Sequence, residues 1–254
     1  MERSRLPHGV LFRTFLRSFF LQASWNFERL QNLGFLYSLV PALRFLYRDQ
    51  PEELNKAYRR HLENFNTHPF MASPVLGTVL ALEERKAAGE TTEIGAGEFK
   101  SMVMAPYAAM GDALFWGGIR PLAAGVALFF AARGSLWAPV VFLLLFNFPH
   151  IWVRVTGLLG GYLRGVGIVE RVQRRRLPDL AIRLKEGTVV LLGGLSAYLT
   201  FLCLRQENFS AGWGLLAVPT VLSLGWAVRR GVSTLLTMLT IVSLLLGFGL
   251  AGVF

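Results

Sequence analysis

The sequence predicts an all-α integral membrane protein with about five transmembrane helices, preceded by an amphipathic helix and a re-entrant or half-spanning helix. Hydrophobic residues make up 53% of the 254 residues and charged residues only 17%, whereas a soluble domain carries roughly 25% charged residues. The mean hydropathy is +0.45. The 26 glycines and 20 phenylalanines are typical of membrane helices, which pack through small residues and place aromatic rings near the lipid headgroups.

Polarity divides the chain into two regions. Residues 1–100 hold most of the acidic side chains and form an amphipathic, interfacial and re-entrant helical region. Residues 101–254 form a transmembrane helical region that contains a basic loop over residues 154–186. The net charge of +10 in so apolar a chain indicates cytoplasmic loops that face anionic lipid, and it does not indicate nucleic-acid binding.

The first region begins with an amphipathic helix. Leucines and phenylalanines at helical spacing form one face of residues 11–20, and Arg13, Thr14, Arg17 and Ser18 form the other. A basic face opposite an apolar one is typical of a helix that lies flat in the cytoplasmic interface of a membrane. A soluble helix that packs on its own domain has the same pattern.

A second helix is predicted to start at Pro51, because proline suits the first turn and the carboxylates of Glu52 and Glu53 suit the positive end of the helix dipole. It ends at the polar break before Pro69. The apolar stretch 71–82 is too short to cross about 30 Å of hydrocarbon, which takes about 20 residues, and it therefore predicts the re-entrant or half-spanning helix. The charged residues 83–100 are predicted to lie in water.

Five apolar segments are the predicted spans, over residues 113–132, 136–153, 188–204, 213–228 and 232–254. The loop 154–186 carries eight basic and three acidic residues, so the positive-inside rule places it in the cytoplasm. Alternation of the spans from this loop places the N-terminus in the cytoplasm and the C-terminus outside.

A cluster of polar side chains lies in the N-terminal region, next to apolar sequence. Asn26, Glu28 and Asn32 offer the hydrogen-bond donors and acceptors that sugar hydroxyls need, and Trp25 offers a ring that can stack on a sugar. The same residues can instead form a polar seam that faces the cytoplasm or a partner subunit.

Two further positions carry the same ambiguity. Asn66 and His68 lie in a helix break. Unwound backbone at membrane level binds substrates in transporters, although an ordinary cap and turn is the commoner explanation of such a break. Asp112 is the sole acid in a long apolar stretch. An acid at that depth is costly and often functional, but Asp is also a good N-cap for the helix that follows.

The sequence offers no catalytic constellation. It carries no P-loop, no HExxH, no GxSxG and no dinucleotide-binding glycine pattern. The single cysteine, Cys203, excludes an internal disulfide and a multi-cysteine metal site. We therefore expect no catalytic residue, no metal site and no cofactor.

Three ordered motifs resemble the signatures of the IID component of mannose-type phosphotransferase systems. They are RSFFLQASWNFERLQNLGF at 17–35, NTHPFMAS at 66–73, and GDALFW at 111–116 with Arg120-Pro121 after it. The chain departs from the family's pattern in the run Ala105–Met110, where the family has a Gly-Pro-Leu-Ala-Gly-like sequence, and in a shorter stretch around 205–212.

The resemblance implies a multi-pass permease subunit in the inner or plasma membrane of a bacterium. Such a subunit pairs with a IIC membrane subunit in a hetero-oligomer, typically a trimer of IIC–IID pairs, and the pair translocates a hexose that the soluble IIB component phosphorylates with phosphate from IIA. The subunit is not an enzyme by itself. The alternative is a non-transporting membrane scaffold or regulatory protein derived from the family. Motif membership gives these residues a place in the substrate path or at the IIC interface: Trp25, Asn26, Glu28, Asn32, Asn66, His68 and Asp112.

Overall fold

The computed structural model of the chain describes residues 5–206 and 211–250, and these residues are helical almost throughout. The α-helices in chain order are α1 (His8–Ser18), α2 (Asn32–Leu46), α3 (Pro51–His61), α4 (Ala72–Ala87), α5 (Ala96–Gly111), α6 (Arg120–Ala131), α7 (Ala138–Arg164), α8 (Ile168–Arg174), α9 (Leu177–Gln206), α10 (Ala217–Arg229) and α11 (Thr234–Leu250). A π-helix, Asp112–Ile119, joins α5 to α6. The described residues form only isolated β-bridges and no strand, so the prediction of an all-α fold is confirmed.

Two helical stretches, the second of which includes α7, α8 and α9, are long and apolar enough to cross a membrane. They run over Ala96–Ala131 and Ala138–Gln206, and only 28% and 11% of the residues in their most apolar parts are buried. They therefore expose apolar surface, unlike the core helices of a soluble protein. Shorter apolar helices cover Asn32–Leu46, Gly214–Arg229 and Thr234–Gly247.

Packing divides the chain into two compact units, residues 1–191 and 192–254. The first contains α1 to α8 and the start of α9, and the second contains the rest of α9 with α10 and α11. The predicted boundary at residue 100 separates regions of different polarity, whereas the boundary at residue 191 separates packing units. The predicted boundary therefore stays a prediction. Residues 207–210 of the short stretch 205–212 lie outside the described part of the chain.

Helices α1 and α3 follow the predicted patterns with two differences. α3 begins at Pro51 as predicted, but it ends at His61, before the polar break. In α1, Thr14 and Ser18 of the predicted polar face are buried with Leu11 against the protein. The apolar side chains of Phe12 and Leu16 are instead exposed.

Helix α4 lies at the centre of the first unit, because almost all of its residues from Ala72 to Glu83 are buried. It packs against α7 at glycines. A Cβ added to Gly77 would lie 2.1 Å from the carbonyl oxygen of Leu158, and one added to Gly161 would lie 2.3 Å from that of Pro74. Small residues of this kind allow two helix backbones to approach closely.

The charged residues 83–100 are not all in water, contrary to the prediction. Glu83 and Lys100 are 0% and 1% exposed. Arg60 donates two hydrogen bonds of 2.9 Å to the two carboxylate oxygens of Glu83, His61 Nε2 lies 3.0 Å from Oε1, and the Tyr47 hydroxyl donates to Oε2 at 2.7 Å. A buried carboxylate is tolerated only when it is paired in this way.

These contacts also decide which groups are charged. Burial raises the pKa of the Glu83 carboxyl, but the hydrogen bonds from His61 and Arg60 outweigh it and lower the pKa to about 2. Burial lowers the pKa of His61, so this ring is a neutral donor. The cluster joins α2, α3 and α4 through one carboxylate, which explains why α3, a polar helix, is held against the core.

We expect this cluster to make the protein sensitive to acid. Because the pKa of Glu83 is lower in the folded protein than its ordinary value of 4.5, its contribution to stability is complete above about pH 4.5 and is lost as the pH falls towards 2. Thermal unfolding of the purified protein across this range should show the loss. Glu83→Gln should be less stable at neutral pH and should lack this component of the pH dependence, and an unchanged slope in the variant would contradict the assignment.

Candidate functional site

The first two sequence motifs are bound to each other by backbone and amide hydrogen bonds. The Gln31 side chain donates to the carbonyl oxygen of Thr67 at 2.9 Å and accepts from its N–H at 3.1 Å. Asn32 Nδ2 donates to the carbonyl oxygen of Leu62 at 2.7 Å. The two amide side chains therefore fix the irregular segment between α3 and α4 against the start of α2.

Asn26 and Asn32 use their polar groups inside the protein. Asn26 Nδ2 donates to Asn32 Oδ1 at 2.9 Å, and Asn26 Oδ1 accepts from the backbone N–H of Arg29 at 2.8 Å. Asn32 is only 4% exposed. These contacts close the loop between α1 and α2, so the structure gives both residues a structural task.

Three other predicted site residues lie on the surface of the same region. Trp25 is exposed and contacts the ring of Phe27 edge-on at 4.9 Å. Glu28 is exposed and pairs with the neighbouring Arg29 at 3.1 Å. Asn66 is exposed in the fixed segment. Their side chains are thus presented to whatever surrounds the subunit.

His68 lies deeper, beneath the π-helix. Its ring stacks on Phe115 with a centroid distance of 5.2 Å and an interplanar angle of 13°. Its Nδ1 accepts from the N–H of Phe70 at 3.3 Å, so a neutral ring carries its proton on Nε2, which is buried and has no partner among the described residues. A Cβ added to Gly111 would lie 2.3 Å from the His68 Cβ, so the second and third motifs meet where His68 contacts Gly111.

Asp112 is not the N-cap that one sequence interpretation offered. α5 continues without a break into the π-helix that starts at Asp112, and the backbone of Asp112 is itself helical (φ −61°, ψ −46°), unlike that of an N-cap residue. The carboxylate is exposed one turn before Trp116. The cap interpretation is wrong because the helix is continuous in this region, which leaves the functional interpretation of Asp112 untested.

An open cavity of about 390 Å³ lies beside the π-helix and α7. Its lining includes Phe19, Leu21 and Gln22 after α1, Pro69 and Phe70 of the second motif, Trp116 and Arg120 of the third, and Phe142, Phe146 and Arg154 of α7. π-helical segments are rare and frequently occur at functional sites. All three motifs contribute to this cavity, so it is a second candidate site. The first is the exposed surface that carries Trp25, Glu28 and Asn66.

Sequence reasoning missed Arg154, which it counted among the basic residues of the cytoplasmic loop. Arg154 is 4% exposed, and its Nη1 donates to the Ser18 carbonyl oxygen at 3.0 Å. It lies one turn after His150, whose ring stacks on Phe70 at 4.2 Å. The only signal in the sequence was the position of this arginine directly after an apolar span.

No metal centre is formed in the described ranges 5–206 and 211–250, because no three His, Cys, Asp or Glu side chains come together there. The polar groups of the two candidate sites are amides, guanidinium groups, imidazoles and isolated carboxylates. They can bind hydroxyls or anions by hydrogen bonds.

The helices, with their exposed apolar surfaces, define an integral membrane protein. The family model for the PTS system mannose/fructose/sorbose family IID component matches residues 5–207. The chain belongs to this family, a family of subunits of sugar transport systems, and the resemblance seen in the motifs is confirmed.

Curated relatives carry different sugar names. The mannose-specific EIID component of Escherichia coli K12 is 48% identical over 167 residues, which are 65% of this chain and 59% of that protein. The sorbose-specific EIID component of Lacticaseibacillus casei is 35% identical over 74% of this chain and 66% of its own length. The fructose permease IID component of Bacillus subtilis is 36% identical over 75% and 68%. The match to the Escherichia coli protein thus spans less than two thirds of that protein.

Two solved structures resemble the whole fold. A chain described as a membrane protein has 34% identity and a TM-score of 0.76, with 98% of this chain and 97% of that chain covered. A chain from the cryo-EM structure of the mannose transporter ManYZ with microcin E492 has 34% identity and a TM-score of 0.60, with 98% and 96% covered.

We expect Gly111→Ala to disrupt the contact between the second and third motifs. The added methyl would overlap His68, whose buried ring cannot move away freely, and overpacking of this kind costs about 1–3 kcal/mol. The measurement is thermal unfolding of the purified protein. Gly9→Ala in α1, where nothing lies within 4 Å of the added atom, is the matched control and should be neutral or stabilising. Equal behaviour of the two variants would contradict the close contact.

Proposed function

We propose that this chain is the IID half of a sugar permease that pairs with a IIC subunit, and that the pair translocates a hexose which IIB phosphorylates at the cytoplasmic side. The chain supplies surface and path for the sugar and performs no chemistry itself. The proposal rests on family membership and on the ManYZ chain that shares the fold. The names of the relatives make mannose, fructose and sorbose the sugars to test.

The observation that carries the proposal is the separation of the motif residues into two groups. Asn26 and Asn32 bond within the chain. They hold the loop between α1 and α2, which presents Trp25 and Glu28 at the surface, next to the segment between α3 and α4, which presents Asn66. An aromatic ring, a carboxylate and an amide, all exposed, can contact sugar hydroxyls or a IIC subunit. We therefore propose that these three, with Asp112, form the substrate-path or IIC-facing surface, while Asn26, Asn32 and His68 support it.

The charge on Glu28 provides the direct test. Glu28→Gln keeps the size of the side chain but removes a carboxylate that can accept hydrogen bonds from two hydroxyls. We expect the complex with IIC to assemble and the uptake of labelled mannose, fructose or sorbose to fall at least tenfold, which is about 1.4 kcal/mol. The uptake assay uses cells that also carry the IIC, IIB and IIA components.

Glu52→Gln is the matched control, because Glu52 is also exposed but lies in the first turn of α3, outside the three motifs. Unchanged uptake in Glu28→Gln would remove Glu28 from the sugar path. Loss of IIC co-purification would assign it to the subunit interface. A wild-type complex that assembles but takes up no sugar would favour the scaffold alternative.

We further propose that the N-terminus is cytoplasmic and the C-terminus outside. α7 continues to Arg164, so the predicted basic loop loses Arg154 and shortens to the connection from the end of α7 to the start of α9. Residues 164–185 still carry seven basic side chains, which favour the cytoplasm. A reporter enzyme that is active only in the cytoplasm should be silent when fused after the last residue, Phe254, and active when inserted in the loop. Strong activity of the C-terminal fusion would overturn this topology.

A further inference from the structure

The cavity beside Phe70 has an unbalanced charge. Arg120 and Arg154 both line it, and none of the described lining residues is acidic. No Asp or Glu among the described residues forms an ion pair with either arginine. A buried guanidinium normally has an anionic partner, because removing it from water is costly.

Arg154 is held in place but has donors left over. Its Nη1 contacts the carbonyl oxygen and hydroxyl of Ser18 at 3.0 and 3.2 Å, and its guanidinium lies over Phe19 at 4.6 Å. Its Nε is buried and has no partner within the described residues. An arginine with five N–H donors, fixed on one side and unpartnered on the other, is suited to bind an oxyanion.

The walls of the cavity are apolar. The rings of Phe19, Phe70, Trp116, Phe142 and Phe146 line it. Phe19 also continues a strip of exposed apolar side chains on and after α1 that includes Phe12, Leu16 and Phe20. Positive charge inside an aromatic cavity, with an apolar strip leading away from it, matches a molecule that has an anionic head and a hydrocarbon tail.

We propose that this cavity binds the phosphate group of an anionic phospholipid, with Arg154 and Arg120 donating to the phosphate oxygens. Arginine pairs with phosphate oxygens by parallel hydrogen bonds. The acyl chains follow Phe19 towards the exposed side chains of α1. The bound lipid supplies the negative charge that the chain itself lacks at this point and ties α1, the π-helix and α7 together.

The test uses the full-length chain purified with its IIC partner in a non-ionic detergent. Phosphatidylglycerol is titrated and the thermal stability of the complex is recorded, with phosphatidylcholine and inorganic phosphate as parallel probes. We expect phosphatidylglycerol to stabilise the wild-type complex and the other two to have little effect. Arg120→Gln, in which an exposed side chain is changed, should fold normally and bind phosphatidylglycerol about tenfold more weakly.

Arg154→Lys keeps the charge but loses the planar group of donors, and it should also weaken binding. Arg13→Gln removes one exposed positive charge from α1 outside the cavity and should leave binding unchanged. Equal weakening in Arg13→Gln would show non-specific attraction and would overturn the proposal. Equal stabilisation by inorganic phosphate would assign the cavity to a soluble phosphate compound. No effect of phosphatidylglycerol on the IIC-bound protein would show that the partner covers the cavity. Either result overturns the lipid assignment. The readout is lipid binding, so it is independent of sugar uptake.

Discussion

The close approach of α4 and α7 is the contact on which the rest of the first unit depends. Gly77 of α4 and Gly157 and Gly161 of α7 leave no room for a side chain, since an added Cβ would lie 2.1 to 2.8 Å from atoms of the opposite helix. At Gly77 and Gly161 the two backbones themselves are in contact, and Gly157 lies against the ring of Pro74. The position of α7 relative to α4 is therefore fixed by shape, without strong polar bonds.

This contact determines where functional groups lie. The buried face of α7 carries His150, Arg154, Gly157 and Gly161 one above another. Because the glycines of this face pack against α4, His150 and Arg154 face the segment before α4. That segment contains His68 and Phe70. One wall of the cavity is thus formed by α7, whose position this packing fixes. Two of the buried charged side chains of the unit, Glu83 and Arg154, differ in their partners. Glu83 has a complete set of partners within the chain, whereas Arg154 has donors that no described residue satisfies.

Features encoded by local pattern could be predicted from the sequence. The start of α3 at Pro51 and the helical nature of the apolar segments depend on nearby residues and agree with the structure. The burial of Glu83 could not be predicted, because its partners Arg60 and His61 lie on another helix. The π-helix is equally invisible in the sequence, since it forms where Gly111 packs against His68, more than forty residues earlier. Arg154 was misplaced because the positive-inside rule treats every arginine as a marker of orientation and says nothing of which one turns inwards.

Alanine substitutions at two adjacent glycines of α7 test whether the close packing of α4 and α7 determines the stability of the first unit. Gly161→Ala places a methyl against the backbone of Pro74 and Thr78, at 2.3 and 2.8 Å. Gly160→Ala meets the flexible ends of two side chains, Ile168 at 3.0 Å and Arg164 at 3.8 Å. By thermal unfolding of the purified protein, we expect Gly161→Ala to be destabilised by about 1–3 kcal/mol. Gly160→Ala should be close to neutral, or stabilised by up to about 1 kcal/mol through the helix propensity of alanine. Equal stability of the two variants would contradict the account.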